Sequence, residues 1–256
     1  MEKLKATKRA RIGIYTMGLK TYWSQFTGLR ERMLEYGGFI TKKIEEMGAE
    51  VFFYGLVDSE EEGRKCGEFF NEKGVNLVFA HAGTYVTSAS VLPVHQICKA
   101  PVVILNLQPT AKINYLQTST GEWLAHCGAC PVPELANAFH RAGVAYRCIN
   151  GLLGMDYTPK ISVADENTAE RPEAKRAWKE IGEWVQAAEV KAALQYCRFG
   201  FLGNNYSGML DLYSDFTMIQ AQTGAHVELL EMCDLDRMMG EVTEAEIEEK
   251  KKEIEG

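Results

Sequence analysis

Gln108, Thr118, Thr120, Glu122, Trp123 and His126 crowd into one polar stretch, residues 106–139 (NLQPTAKINYLQTSTGEWLAHCGACPVPELANAF), directly after an apolar run at 101–107. Amide, hydroxyl, carboxylate and imidazole groups can hydrogen-bond a hydroxyl-rich ligand, and an indole offers it a flat apolar wall. Such groups past the carboxyl end of a strand have the composition of an α/β ligand site. Two other stretches leave apolar runs in the same way. Residues 16–25 (TMGLKTYWSQ) carry Tyr22, Trp23 and Gln25, suited either to stacking on and bonding a polyol or to capping the sheet edge. They contain only Gly18 of the glycines a dinucleotide fingerprint needs. Residues 81–90 (HAGTYVTSAS) carry His81, Thr84 and Tyr85 and run into a helix start. Backbone N–H groups there favour an oxygen-rich ligand, or Thr87 or Ser88 simply caps the helix. No G-x-S-x-G elbow marks Ser88 or Ser90 as a nucleophile.

The groups that would react, rather than orient, are scarcer. Cys127-x-x-Cys130 beside His126 is compatible with a redox pair or with zinc. A structural zinc site needs four ligands. No second pair has useful spacing, and Cys148 and Cys197 stand apart, so small buried thiols are the default reading. His126 remains a candidate donor to ligand or acid/base helper. Asp211 and Asp215 fall one helical turn apart and could share a face, but no His or Glu partners accompany them. First-turn acids favoured by the helix dipole account for them.

These stretches need strands and helices to hold them. Apolar runs at 11–16, 50–55, 75–80, 101–107 and 143–150 read as five strands. Between them, residues 29–47 place Leu29, Met33, Ile40, Ile44 and Met47 at helical spacing, with Gly48 as the stop. Ser59 with Glu62 has the spacing of a capping box. Residues 88–98 predict a helix broken or bent near Pro93, and 131–141 a helix with prolines in its first turn. Strands this apolar, separated by helix-length segments, predict an α/β fold: a Rossmann-like parallel sheet with helices on both faces. The Gly, Pro, Asp and Asn of 151–168 suggest a boundary, and 170–195 a long helix with Trp178, Ile181, Trp184, Val185 and Ala188 on one face. Strands at 198–203 and 226–232, a helix within 208–224 and a charged helix at 243–255 then restart the pattern. The expected division is an N-terminal Rossmann-like lobe at 1–165, a connecting helix at 166–196 and the start of a second Rossmann-like lobe, incomplete, at 197–256.

The chain has 256 residues, 46% of them hydrophobic, which is enough to bury a core. Its formal net charge of −7 argues against nucleic acid as the main partner. Lys3, Lys5, Lys8, Arg9 and Arg11 read as a solvated tail. No run approaches the roughly 18 apolar residues of a membrane span, and no apolar signal region opens the chain. Seven cysteines, several in apolar runs, read as buried free thiols of a cytoplasmic protein.

Several long runs carry a resemblance: GLVDS at 55–59, YVTSAS at 85–90, VVILNLQPT at 102–110, GEWLAHCGACPVPELANAFHRAGV at 121–144, INGLLGMD at 149–156, RFGFLGNNYSGMLDLYSDF at 198–216 and EMCDLD at 231–236. Together they are similar to the L-arabinose/L-fucose isomerase family. That resemblance implies an aldose–ketose isomerase of two Rossmann-like lobes and a C-terminal domain, using a divalent metal, usually Mn²⁺. The family's metal carboxylates and histidines would lie beyond this sequence, so it implies no catalytic residue and no metal ligand here. It implies substrate-enclosing loops at Tyr22, Trp23, His81, Thr84, Tyr85, Glu122, Trp123 and His126, around a pentose or deoxyhexose. It also implies a C-terminal isomerase domain or partner chain, and a homo-oligomer. Two other readings stay open. One is a non-catalytic sugar-binding or sensor module, since two such lobes about a hinge resemble periplasmic binding proteins; the half-built second lobe and the lack of a signal region count against it. The other is a scaffolding subunit that buries the helix at 243–255 against another chain.

Overall fold

Alternating apolar side chains decide the first sheet. In the computed structural model, which describes residues 9–156, 167–203 and 207–255, five strands pair in parallel in the order β2-β1-β3-β4-β5. They are β1 (Arg11–Met17), β2 (Glu50–Val57), β3 (Leu77–His81), β4 (Val102–Gln108) and β5 (Tyr146–Leu152). Lys3, Lys5, Lys8, most of the expected boundary at 151–168 and Asn204 lie outside the described residues. Ile12, Ile14, Leu77, Phe79, Val103 and Leu105 enter one core cluster, while Tyr15, Met17, Val78, Ala80, Val102 and Ile104 enter another. This is the period-two alternation of a strand buried on both faces. The register slips between Ile14 and Tyr15, where β2 takes an extra residue before Gly55, whose φ of 104° suits a residue without a Cβ.

The helices cover both faces. Between β1 and β2 lie α1 (Lys20–Trp23) and α2 (Leu29–Glu46). Leu29, Met33, Tyr36, Ile40 and Ile44 give α2 one buried stripe. α3 (Glu60–Lys73) precedes β3, capped by Ser59, whose hydroxyl accepts from the Glu62 N–H at 3.4 Å. α4 (Ser88–Ile97) precedes β4 and continues through Pro93, so the helix is not broken there. The buried Val91, Pro93 and Val94 keep it seated. α5 (Thr120–Leu124) and α6 (Val132–Ala142) lie between β4 and β5. α7 (Pro172–Leu194), expected as a connector, buries Ala177, Trp178, Ile181, Val185 and Ala188 in the same cluster as Ile12 and Phe79.

The chain divides into two compact units between Ala192 and Ala193. The second holds β6 (Arg198–Leu202) and β7 (His226–Leu230), paired in parallel, with α8 (Phe216–Thr223), α9 (Met232–Glu241) and α10 (Glu244–Glu255). α9 has no counterpart in the sequence expectation. Asp211 and Asp215 do not share a helical face: Asp211 sits in a 3-10 turn, and Asp215 caps α8 by accepting from the Met218 N–H at 2.9 Å. Thr243 and Glu246 form a capping box on α10. No helix among the described residues is long and apolar enough to cross a membrane.

Close packing of α3 on α4 rests on glycine. A Cβ on Gly63 would stand 2.1 Å from the Ser90 carbonyl oxygen, whereas one on Gly38 in α2 would meet nothing within 4 Å. Gly63→Ala should therefore destabilise by about 1–3 kcal/mol, and Gly38→Ala should stabilise by about 0.5–1 kcal/mol. Urea unfolding of both variants checks this; equal effects would show that the helices can separate freely.

Candidate functional site

The strand order reverses between β1 and β3. From that pair the chain builds outward to β2 on one side and to β4 and β5 on the other. In open parallel sheets, ligands bind outside the carboxyl ends at such a reversal. All three polar stretches emerge at this edge, after β1, β3 and β4.

Directly at the reversal the protein fills the crevice with its own side chains. The Trp23 indole N–H donates to the Asp58 carboxylate at 2.6 Å. That bond lays the ring so close over Gly18 that a Cβ there would be 2.5 Å from it and 3.7 Å from the Thr84 methyl. Gly83 is likewise closed in by Thr16 and Met33. His81 and Thr84 are buried beneath this cover. His81 Nδ1 meets the Thr16 hydroxyl at 3.2 Å, while its Nε2 and the Thr84 hydroxyl have no hydrogen-bond partner. Burial depresses the His81 pKa to about 3. Tyr22 packs edge-on against Phe26. Burial, then the neighbouring Cys127 and Cys130, raises its phenol pKa.

The start of α4, the expected oxygen-binding point, is already occupied. Glu134 of α6 accepts from the Ser88 N–H at 2.7 Å and from the Tyr85 hydroxyl at 3.1 Å. The Ser88 N–H bond is the main reason its carboxyl titrates below the ordinary range. An internal carboxylate thus takes the place of an external anion, and Tyr85 is committed to holding it.

An open cleft of about 350 Å³ lies to the side, between the start of α2 and α5. Phe26, Thr27, Leu29, Arg32, Ser119, Thr120, Gly121 and Glu122 line it. Ser119 caps α5 by accepting from the Glu122 N–H at 3.3 Å. Arg32 is only 3% exposed and Glu122 9%. Arg32 Nη2 approaches Glu122 Oε1 at 3.5 Å, yet Nε, Nη1 and Nη2 are buried without a hydrogen-bond partner. His126 braces this arrangement from behind. Its Nδ1 donates to the Glu122 carbonyl at 2.8 Å, and Nε2 meets the Thr110 hydroxyl at 3.0 Å. Burial lowers the His126 pKa and favours the neutral ring, and Nε2 shares the Thr110 hydroxyl with the Lys112 carbonyl, to which that hydroxyl donates at 2.9 Å. Trp123, 41% exposed, lines a neighbouring hollow of about 210 Å³ with Tyr115, Thr118, Ser119 and Thr120.

Of the residues singled out from sequence, Glu122 lines the cleft and Trp123 its neighbour. His126 stands behind, and Trp23, His81, Thr84 and Tyr85 belong to the closed part of the edge. Arg32, Phe26 and Ser119 were missed. Arg32 carried a readable signal: it falls three residues after Leu29 and four before Tyr36, on the buried stripe of α2. A charge at such a position needs a partner.

No family model matches the chain, and no curated protein does. Solved structures that it is similar to include the periplasmic binding component of an arabinose ABC transporter from Shewanella sp. ANA-3, bound to α- and β-L-arabinofuranose. That match has 13% identity and a TM-score of 0.29, covering 56% of this chain and 55% of that one. Another is a ligand-free, open substrate-binding protein with adhesive properties from Clostridium difficile, with 9% identity and a TM-score of 0.28, covering 87% of this chain and 57% of that one. A third is a protein assigned as an acylhydrolase from Bacteroides fragilis, with 10% identity and a TM-score of 0.32, covering 70% and 86%. The chain thus spans little more than half the length of the two binding proteins. Likeness this slight carries no argument about activity. The isomerase resemblance is corrected by the family comparison: no model of that family matches the chain. The implied manganese and C-terminal isomerase domain go with it. Among the described residues, no three His, Cys, Asp or Glu side chains are grouped to hold a metal ion. Runs of strand and strand-end loop recur across unrelated α/β functions, so they are a poor guide to activity.

Two outcomes follow. His95 bonds the Tyr15 hydroxyl at 3.0 Å, and burial holds its pKa, like that of His81, at about 3. Both folded values lie below the unfolded value of about 6.5. The unfolded chain therefore binds more protons between these pH values. The stabilisation is complete above about pH 6.5 and is lost as pH falls toward 3, at up to about 1.4 kcal/mol per pH unit per histidine. In an NMR titration from pH 8 to 5 neither imidazole should move; midpoints near 6.5 would contradict the burial. Glu122→Ala leaves the Arg32 charge buried and unpaired, and should destabilise by about 3–5 kcal/mol in urea unfolding. A loss below about 1 kcal/mol would mean that water reaches Arg32.

Proposed function

We propose that this chain is a non-catalytic binding module for a small hydroxyl-rich ligand of the sugar class, held in the cleft between α2 and α5. The observation that carries this is Arg32: a buried guanidinium whose nitrogens have no hydrogen-bond acceptor and which lines an open cleft. Each buried unsatisfied donor costs about 1–3 kcal/mol, and the three nitrogens are closed to solvent, so ligand oxygens recover part of that penalty once the guanidinium turns toward the cleft. The rest of the lining supports the same class. Glu122 can accept from hydroxyls, Thr120 can donate and accept, and Phe26 offers a flat wall to the apolar face of a sugar ring. Arg32 and Glu122 offset each other's charge, which favours a neutral polyol over an anion. The volume of about 350 Å³ sits at the small end of ligand sites.

Binding without turnover is supported by what the nearby reactive groups already do. Both His126 nitrogens are engaged, and the Ser119 hydroxyl caps α5. Neither is poised as a nucleophile with its base.

Titration calorimetry with aldopentoses and 6-deoxyhexoses tests the reading. One of them should bind, and Arg32→Lys, which keeps the charge and loses the planar fork, should weaken it about tenfold or more. Thr120→Ala should weaken it less. Circular dichroism establishes that the variants remain folded. No heat with any of these sugars, or equal affinity in Arg32→Lys, would overturn the assignment.

A further inference from the structure

The turn that follows His126 carries a second feature, independent of the sugar reading. Cys127 and Cys130 flank a 3-10 turn, Cys127–Ala129, closed by the Cys130 N–H donating to the Cys127 carbonyl at 3.1 Å. Their Sγ atoms stand 2.7 Å apart. Cys127 is buried and Cys130 exposed. The backbone between them is clamped, since a Cβ on Gly128 would be 2.0 Å from the Ala82 carbonyl oxygen at the end of β3. The turn therefore cannot swing the two thiols apart without leaving the sheet edge. Pro131 and the start of α6 fix the other side. Cys66 and Cys98 are buried in the second core cluster, and Cys233 is exposed in the second unit.

We propose that Cys127 and Cys130 are a reversible dithiol–disulfide site, oxidised by a peroxide. The exposed Cys130 thiolate attacks one peroxide oxygen. The O–O bond breaks, the oxygen that is not transferred leaves as hydroxide and takes up a proton to become water, and Cys130 becomes a sulfenic acid. The Cys127 sulfur then attacks the Cys130 sulfur. The S–S bond forms, the S–O bond breaks, and the hydroxyl leaves as a second water with the Cys127 proton. Two thiols lose two electrons in all, and one peroxide gains them. Burial, then the contact with Cys130, pushes the Cys127 thiol pKa up to about 12. That places the first attack on Cys130 and the resolving role on Cys127. A dithiol returns both to thiols by exchange.

The test is mass spectrometry of the folded protein after hydrogen peroxide treatment, alkylation of remaining thiols and digestion. The expected product is a peptide linked between Cys127 and Cys130, about 2 Da lighter than the dithiol and restored by dithiothreitol. In Cys127→Ser, Cys130 should be trapped as a sulfenic acid that reacts with dimedone. In Cys130→Ser, Cys127 should stay fully alkylatable once the protein is unfolded. Cys233 serves as the exposed reference in every sample. The proposal is overturned if both thiols remain alkylatable while Cys233 is oxidised. It is equally overturned if Cys130 proceeds to a sulfinic acid, or links to another molecule, in the presence of Cys127. Sugar titration is not involved, so failure here and failure of the cleft assignment are separate results.

Discussion

A parallel sheet rich in Val, Ile, Leu and Phe cannot leave either face in water. Most of what this chain does follows from that constraint. Both faces of the five strands are covered, by α2 and α7 on one side and by α3, α4 and α6 on the other. The crossovers that bring those helices back make every strand point the same way. Every polar stretch that follows a strand end in β1, β3 and β4 is thereby delivered to one edge. Residues as distant in sequence as Thr16 and His81 become neighbours without local features directing them there.

That edge is mostly self-satisfied. Trp23, tied to Asp58, covers the reversal between β1 and β3. Glu134 neutralises the start of α4, and His126 spends both nitrogens on the backbone and hydroxyl that position α5. The exceptions are His81 Nε2 and the Thr84 hydroxyl, shut beneath Trp23, and Arg32, which of these three residues is the one that lines the cleft. Its guanidinium is driven inside by its place on the apolar stripe of α2, and Glu122 approaches at 3.5 Å without completing a hydrogen bond. Desolvation of a charge is expensive, and this is why the proposed ligand site is the open cleft that Arg32 lines.

The fold was largely legible in the sequence, because its determinants are local periodicities. The five strands and α2 could be read from apolar spacing alone, to within a few residues at their ends. The arrangement of the edge was not legible in the same way. Glu134 meets Ser88 across forty-six positions of sequence and His126 meets Thr110 across sixteen, separations that local periodicity does not connect. Read in isolation, His126 looked like a group for a ligand, and 81–90 like an empty helix start. Arg32 is legible as a charge on the apolar stripe of α2, but Glu122, its partner, lies ninety residues away and no local spacing links the two. The isomerase resemblance rested on runs whose strand and loop composition the fold itself demands, and fold does not carry function.

The most direct measurement is a crystal structure of the protein grown with an excess of the aldopentose or 6-deoxyhexose that binds best. The account requires sugar density between Phe26 and Glu122, with at least one hydroxyl or ring oxygen within hydrogen-bonding distance of the Arg32 guanidinium. Sugar bound elsewhere, or Arg32 completing its hydrogen bonds with Glu122 and water alone while the cleft stays empty of ligand, would contradict it.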